Sequence, residues 1–154
     1  MEEDKVYMGV GIIITNKERD KFYFQQKDET YWIKQYRLKY SFFGGGVEQE
    51  EGAYEALKRE LYEELESVAT KIILNNCEEV FISRLKNIFG RNCKQFIFEA
   101  ILSDEELINI NKLPVKEGKR GKIFSRQELI EDDFFVGAWK ILGDYFKFKD
   151  KINF

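Results

Sequence analysis

The chain has 154 residues, of which 44% are hydrophobic, a net charge of −3 at pH 7, and no histidine. This length and composition predict one globular domain over residues 1–154, and the acidic balance and lack of an apolar run of ~18 residues argue against nucleic-acid and membrane partners. The absence of histidine excludes Ser-His-Asp and Cys-His catalysis and histidine-bound metals.

The N-terminal part of the chain predicts a β-hairpin. Tyr7–Thr15 is apolar and rich in β-branched residues, which is typical of a buried strand, and Lys21–Gln26 alternates with a period of two after a polar turn. Residues 27–40 show no clear period. They form either an ordinary surface loop or a flap whose basic side chains meet phosphate charge. In the second case, the substrate-binding residues here are Lys27, Arg37 and Lys39.

A glycine run, Gly44–Gly46, precedes a segment whose apolar residues recur at helical spacing. The residues that form this apolar stripe are Ala53, Leu57, Leu61 and Leu65. We expect a helix from Glu51 to about Val68, because Val68 would return to the same face. Glu66 should then have ordinary helical dihedral angles.

Three carboxylates, Glu60, Glu63 and Glu64, stand at positions i, i+3 and i+4 of this helix and so lie on neighbouring faces. Glu64 lies close to the centre of the apolar stripe, where a carboxylate is costly to desolvate unless a cation offsets its charge. A divalent cation would also relieve the repulsion among the three carboxylates. Mg²⁺ takes hard oxygen ligands of this kind.

The remainder of the chain predicts further strands and helices. Strands are expected at Lys71–Leu74, Glu79–Arg84, Gln95–Leu102 and Ile123–Phe124. Helices are expected after the N-caps Ser103 and Ser125 and over Phe135–Phe146, followed by a loosely held tail, residues 147–154. Glu99 should face solvent, with a substrate contact as the alternative. The mixed order of elements favours an α+β fold or a mixed-sheet sandwich.

The spacing from Gly45 to Ser67 closely resembles the Nudix box. In that motif a glycine is followed at fixed offsets by Glu and then by Arg-Glu-apolar-x-Glu-Glu-x-Gly-apolar; Glu51 and the run Arg59–Glu64 match it. The final Gly-apolar pair is replaced by Glu66 and Ser67, and Phe43 stands where a proline often precedes the glycines. The chain is therefore similar to MutT-like Nudix hydrolases. This resemblance implies the Nudix fold, an α+β fold with a mixed β-sheet between helices, a β-hairpin start and the box as loop-helix-loop.

The resemblance also implies roles for individual residues. The implied metal ligands are Glu60, Glu63, Glu64 and the carbonyl of Gly44, with Glu60 alternatively the base for the attacking water. Arg59 would orient the catalytic carboxylate through an ion pair. The residues implied to support the loop are Gly45, Gly46, Glu48 and Glu51.

Acidic residues outside the box are also candidates. Nudix enzymes often use one more acid, and Glu117 occupies the place where many relatives carry one; an ordinary surface glutamate is the alternative. Asp132 and Asp133 either bind a purine edge or mark the start of the last helix, where acidic side chains are favoured.

The implied function is an Mg²⁺-dependent pyrophosphohydrolase, with Mn²⁺ as a substitute, that cleaves a nucleoside triphosphate to the monophosphate and pyrophosphate. Nucleotide sugars are the alternative substrates. A binding module that does not hydrolyse nucleotides is the alternative of another class. Cys77 and Cys93 form no CxxC pattern, so we expect reduced thiols and a cytoplasmic protein; a homodimer is left open.

Overall fold

A computed structural model describes residues 5–152 and shows a mixed β-sheet between helices, which confirms the predicted α+β fold. The strands are β1 (Tyr7–Asn16), β2 (Lys21–Gln26), β3 (Tyr40–Ser41), β4 (Phe43–Gly46), β5 (Cys77–Lys86), β6 (Asn92–Leu102) and β7 (Arg120–Ser125). The α-helices are α1 (Ala53–Glu64), α2 (Ser67–Leu74), α3 (Asp104–Asn111) and α4 (Val136–Ile152). Single 3₁₀ turns occur at Lys34–Tyr36, Arg126–Glu128 and Glu131–Asp133.

β1 is the central strand of the sheet. The main path of paired strands runs β3-β2-β1-β6-β5, and the predicted hairpin of β1 and β2 is confirmed. β6 pairs parallel to the whole of β1, whereas β4 pairs antiparallel to it along Gly9–Ile12. β7 extends the sheet beside β2. This arrangement brings the glycine strand β4 and the end of β2 to the same side of β1.

Two apolar clusters cover the faces of the sheet, as the alternation of strand side chains requires. Val10, Ile12 and Ile14 of β1 pack on one face against α1, α2 and α3. Ile13 points to the other face and packs against α4. Within the apolar stripe, Leu57 and Leu61 are 0% exposed and Leu65, just past the end of α1, is 1% exposed, whereas Ala53 is partly buried against the same cluster. No helix within residues 5–152 is long and apolar enough to cross a membrane.

The predicted continuous helix from Glu51 to Val68 is wrong. α1 ends at Glu64, and Leu65 and Glu66 are extended, with φ/ψ of −127°/158° and −60°/148°. Leu65 pairs across a β-bridge with Val115, which draws the chain out of the helix. Glu66 therefore has neither the helical dihedrals that we expected nor a left-handed conformation, and Val68 is 60% exposed.

Lys71–Leu74 is helical, so the predicted strand there is also wrong. These residues complete α2, which buries Ala69, Thr70 and Ile73. The Thr70 hydroxyl donates a 3.0 Å hydrogen bond to the carbonyl of Leu61, one of the last carbonyls of α1. The second helix thus caps the first, and tertiary contacts override the β-branched character of the segment.

Two expectations for the C-terminal half also need correction. Glu99 does not face solvent: it is 2% exposed and lies under α4, where the Tyr145 hydroxyl, Arg19 and Lys149 contact its carboxylate. The tail is not loose through residue 152, because α4 continues to Ile152; Asn153 and Phe154 lie outside the described residues. The predicted N-cap Ser103 is confirmed and forms a capping box with Glu106 at the start of α3, whereas Ser125 precedes only the 3₁₀ turn Arg126–Glu128.

Candidate active site

The candidate site forms where the glycine strand β4 crosses the inner face of α1. Gly44 has φ of +141°, and a Cβ built there would lie 2.1 Å from the carbonyl oxygen of Val10, so only glycine permits this close approach. The backbone N–H of Gly44 donates a 2.9 Å hydrogen bond to the carboxylate of Glu64. A Cβ at Gly45 would lie 2.4 Å from the carboxyl carbon of Glu60. The glycines thus let two carboxylates of α1 pack directly on the backbone of β4.

Arg59 ties the loop before α1 to the helix itself. Four carboxylates surround its guanidinium, those of Glu48, Glu51, Glu60 and Glu63. Its Nε lies 2.8 Å from Glu51 and its Nη1 lies 2.9 Å from Glu60, while Nη2 donates to the carbonyl of Gly46 at 2.9 Å. The hydrogen bonds from Arg59 lower the pKa of Glu51 to about 2. A planar guanidinium can hold loop and helix together in this way because its donors are fixed in one plane.

Glu64 is a buried carboxyl group, with 1% of its surface exposed. Burial raises its pKa to about 8, and the nearby charge of Glu60 adds to this effect. The N–H of Gly44, the charge of Lys27 and the amide of Gln25 act in the opposite direction but do not cancel the rise. Among the described residues, Glu64 therefore has hydrogen-bond donors in Gly44 and Gln25 but no salt-bridge partner.

The pKa of the Glu60 carboxyl group is also raised. Burial raises its pKa, and neighbouring Glu63 and Glu117 add to the rise, although Arg59 opposes it. Glu63 differs from its neighbours because its side chain is 50% exposed and lies 3.5 Å from Arg59. The three box carboxylates thus occupy three different environments on one helix.

Two residues of β2 and the loop after it also belong to the site. Gln25 was not predicted from the sequence, and Lys27 was predicted to bind substrate but not to contact Gln25. The Gln25 amide donates to the Glu64 carboxylate at 3.0 Å, and Lys27 Nζ donates to the amide oxygen of Gln25 at 2.7 Å. Gln25 is 0% exposed. The period-two alternation of β2 could have revealed it, because Gln25 falls on the same face of the strand as buried Tyr23.

Glu117 lies on a loop that packs against the end of α1. The N–H groups of Lys116 and Glu117 donate to the carbonyl of Glu64 at 2.8 and 3.4 Å, and Gln25 donates to the carbonyl of Glu117 at 3.3 Å. The ammonium of Lys116 contacts the carbonyl of Tyr62 at 2.8 Å. These contacts bring the loop to the box carboxylates; the catalytic role of Glu117 stays a prediction.

A cavity of about 430 Å³ opens beside these residues. It is lined by Lys27, Asp28, Thr30, Tyr31, Trp32, Lys116, Glu117 and Gly118. Glu117 therefore contributes both to this cavity and to the electrostatic surroundings of Glu60. The cavity has the size usual for small-ligand sites.

The other predicted substrate-binding residues make different contacts. Arg37 Nε donates to the carbonyl of Tyr31 at 2.8 Å and so holds its own loop. Lys39 donates to the backbone carbonyl of Asp132, in the turn that also contains Asp133. None of these four residues is among the described residues that line the cavity, and their predicted roles in binding stay untested.

The donor set can be compared with the needs of a divalent cation. Within residues 5–152, no three acidic or cysteine side chains converge closely enough to form a ready-made metal site. Mg²⁺, however, commonly takes one or two carboxylates and completes its coordination with water and substrate phosphates. Glu60 and Glu64 fit that arrangement, because a cation would offset the burial that disfavours their charged forms. For Gly44, the structure shows an N–H contact to Glu64, and the ligand role of its carbonyl stays a prediction.

Comparison with known proteins agrees with this geometry. The profile of the NUDIX domain matches residues 6–142, which is most of the chain. This chain belongs to the Nudix hydrolase family. A comparison with curated proteins finds no match.

Solved Nudix structures share the fold. A MutT protein from Methanosarcina mazei Go1 is 17% identical with a TM-score of 0.65, covering 98% of this chain and 97% of that chain. A C. elegans Ap4A hydrolase in a binary complex is 16% identical with a TM-score of 0.63, covering 93% and 98%. A MutT NUDIX hydrolase from Burkholderia pseudomallei is 14% identical with a TM-score of 0.63, covering 91% and 98%. At these identities the structural similarity shows the fold and not the substrate. Nudix hydrolases as a family generally use a divalent metal.

Proposed function

We propose that this Nudix protein is an Mg²⁺-dependent pyrophosphohydrolase that cleaves the diphosphate linkage of a nucleotide, with nucleoside triphosphates as the preferred substrates. The observation that carries the proposal is the buried carboxyl of Glu64, held by the Gly44 N–H beside Glu60. Burial disfavours the charged forms of both carboxyl groups, so placing them side by side costs free energy unless a charged ligand binds to them. Mn²⁺ should replace Mg²⁺, since both take oxygen ligands.

Glu60 and Glu64 would hold the metal in this proposal, with Glu63 joining them if its half-exposed side chain turns away from Arg59. A bound Mg²⁺ neutralises phosphate charge and lowers the pKa of water. Hydrolysis forms one bond from water oxygen to phosphorus and breaks one bridging P–O bond, and the water proton must pass to a nearby base. Glu117 is one candidate for that base, because it lines the cavity and its charge adds to the raised pKa of Glu60. Glu60 is the other candidate, as the alternative to its role as a metal ligand.

Arg59 is assigned a positioning role. It contacts Glu51, Glu60 and the carbonyl of Gly46 at 2.8 to 2.9 Å, so it fixes the carboxylate of Glu60 relative to the glycine strand. Lys27 lines the cavity, and its charge also acts on the buried carboxyl group of Glu64. Its charge suits a phosphate of the substrate.

The proposal is tested by incubating the protein with a panel of nucleotides and Mg²⁺ and measuring released pyrophosphate and phosphate. Release of pyrophosphate from nucleoside triphosphates would support it, and release of a sugar phosphate from a nucleotide sugar would move the preferred substrate to that class. A protein that binds nucleotides but hydrolyses no member of the panel would instead be a binding module, and the proposal would be wrong.

A further inference from the structure

The cavity beside Glu117 lies between two loops that are joined to each other by contacts of Lys119. One wall is formed by residues 27–32 and the other by residues 116–118. Lys119 joins them: its ammonium pairs with Glu29, and its backbone N–H donates to the carbonyl of Gln26 at 2.8 Å. Because both walls are fixed to β2 and to the end of α1, the cavity has a defined position relative to the box carboxylates.

The two ends of this cavity differ in chemistry. Lys27 and Glu117 mark the end at the box carboxylates, through the contacts of Lys27 with Gln25 and of the Glu117 loop with Glu64. Tyr31 and Trp32 contribute aromatic surface to the same cavity. Two lysines and two acidic residues balance the charge of the lining, so the cavity as a whole does not select an anion. A ligand that reaches Tyr31 and Trp32 should be recognised by packing against their rings.

Trp32 is unusual because it is a large aromatic side chain that is 71% exposed. One neighbour supports its ring: Phe89, itself 60% exposed, stacks on it at 6.0 Å between centroids and 18° between planes. Phe89 comes from the hairpin between β5 and β6 and is not one of the residues lining the cavity. Tyr31 is fixed in turn by packing against Phe135 at 5.8 Å.

We propose that Trp32 is a stacking platform for the base of the nucleotide, which lies in this cavity with its phosphates at the box carboxylates. This assignment rests on the proposed function, since the phosphate end is placed by Glu60 and Glu64. A supported, exposed indole offers a flat face to a planar ring, and stacking on an aromatic side chain tolerates different bases. Trp32 is then the residue that favours nucleotides over diphosphates that lack a base.

The test measures binding rather than turnover. α,β-Methylene nucleoside diphosphates of adenine, guanine, cytosine and uracil, whose bridging carbon resists hydrolysis, are titrated calorimetrically with Mg²⁺ into wild type, Trp32→Ala and Trp32→Phe. Methylenediphosphonate, which has no base, is the matched probe. Thermal melts confirm that the exposed position tolerates each change.

Trp32→Ala should weaken binding of at least one methylene nucleotide by about tenfold or more, the loss expected of one base-aromatic stack. Trp32→Phe should restore most of that affinity, and methylenediphosphonate should bind all three proteins alike. The proposal is overturned if Trp32→Ala binds every nucleotide as wild type does, or loses affinity for methylenediphosphonate equally. Trp32-dependent binding by a protein that hydrolyses nothing would overturn only the proposed hydrolysis, so the two failures can be distinguished.

Discussion

The side-chain amide of Gln25 donates a 3.0 Å hydrogen bond to the buried carboxylate of Glu64. With the N–H of Gly44 on the other carboxylate oxygen, it fixes the orientation of a proposed metal ligand. Mutation of a group that orients a metal-ligating side chain in this way typically lowers metal affinity or activity by about 10- to 100-fold. The contact therefore extends the site from the helix to β2.

We predict that Gln25→Met, which keeps the length of the side chain but removes its donors, lowers kcat/KM by roughly tenfold or more. Higher Mg²⁺ should recover part of the loss, because the variant removes a hydrogen bond to the proposed metal ligand Glu64; the part that is not recovered reports the lost contact of Gln25 with Lys27. Gln26→Met is the matched control, since the amide of Gln26 donates to the carbonyl of Leu38, away from Glu64. Equal activity of both variants and wild type would show that the Gln25 contact has no role in function.

Glu117→Gln should lower kcat by about tenfold or more, within the range for an acid or base that transfers a proton. The reason is that its carboxylate lies at the cavity and raises the pKa of Glu60. Glu79→Gln, at an exposed position of β5, serves as the control. If both variants have the rate of wild type, Glu117 is an ordinary surface residue and another group accepts the proton.

Glu99 should make stability depend on pH in the acid range. Burial alone would raise its pKa, but hydrogen bonds from Tyr145, Arg19 and Lys149 outweigh it and lower the pKa below the ordinary 4.5. Because the unfolded chain then binds the proton more readily, this contribution is present above about pH 4.5 and is lost as pH falls through the folded pKa.

The measurement is urea unfolding of wild type and Glu99→Gln at several pH values. At pH 7 the variant should lose roughly 2 kcal/mol of unfolding free energy, the scale of hydrogen bonds to a charged group. Below pH 4 the difference between the two proteins should shrink. A difference that does not change with pH would mean that the folded protein does not favour the charged form of Glu99.

The Nudix box illustrates how much the sequence can predict. The stripe that includes Leu57 and Leu61 follows from local spacing, and so does the burial of Glu64, whereas the ion pair of Arg59 with Glu51 was not predicted. Such features lie within one helix and the loop before it, where periodicity fixes relative positions.

The features that were missed depend on partners distant in sequence. Leu65 leaves the helix to pair with Val115, and Glu99 is neutralised by groups 46 to 80 residues away. Local spacing cannot predict such pairs, because they arise when α4 and the loop before β7 pack onto the sheet. The aromatic lining at Trp32 was missed for the same reason.

The observed helix break yields a prediction for Glu66. It is the N-cap of α2, with extended dihedrals, and its side chain makes no capping hydrogen bond. Glu66→Ser should raise the unfolding free energy by roughly 0.5–1 kcal/mol, because a serine hydroxyl can accept from a free N–H of the first turn. Glu66→Ala, which supplies no acceptor, should not raise it. A melting temperature lowered by serine would contradict the assigned cap.

The central claim is metal-dependent hydrolysis at Glu64, and its most direct test is pyrophosphate release from nucleoside triphosphates by wild type and Glu64→Gln. We expect wild type to require Mg²⁺ or Mn²⁺ and to stop in excess chelator. Glu64→Gln should be nearly inactive while remaining folded, since an uncharged amide fits the buried position without the cost of a charge. Full turnover in chelator, or a Glu64→Gln variant with the wild-type rate, would contradict the account.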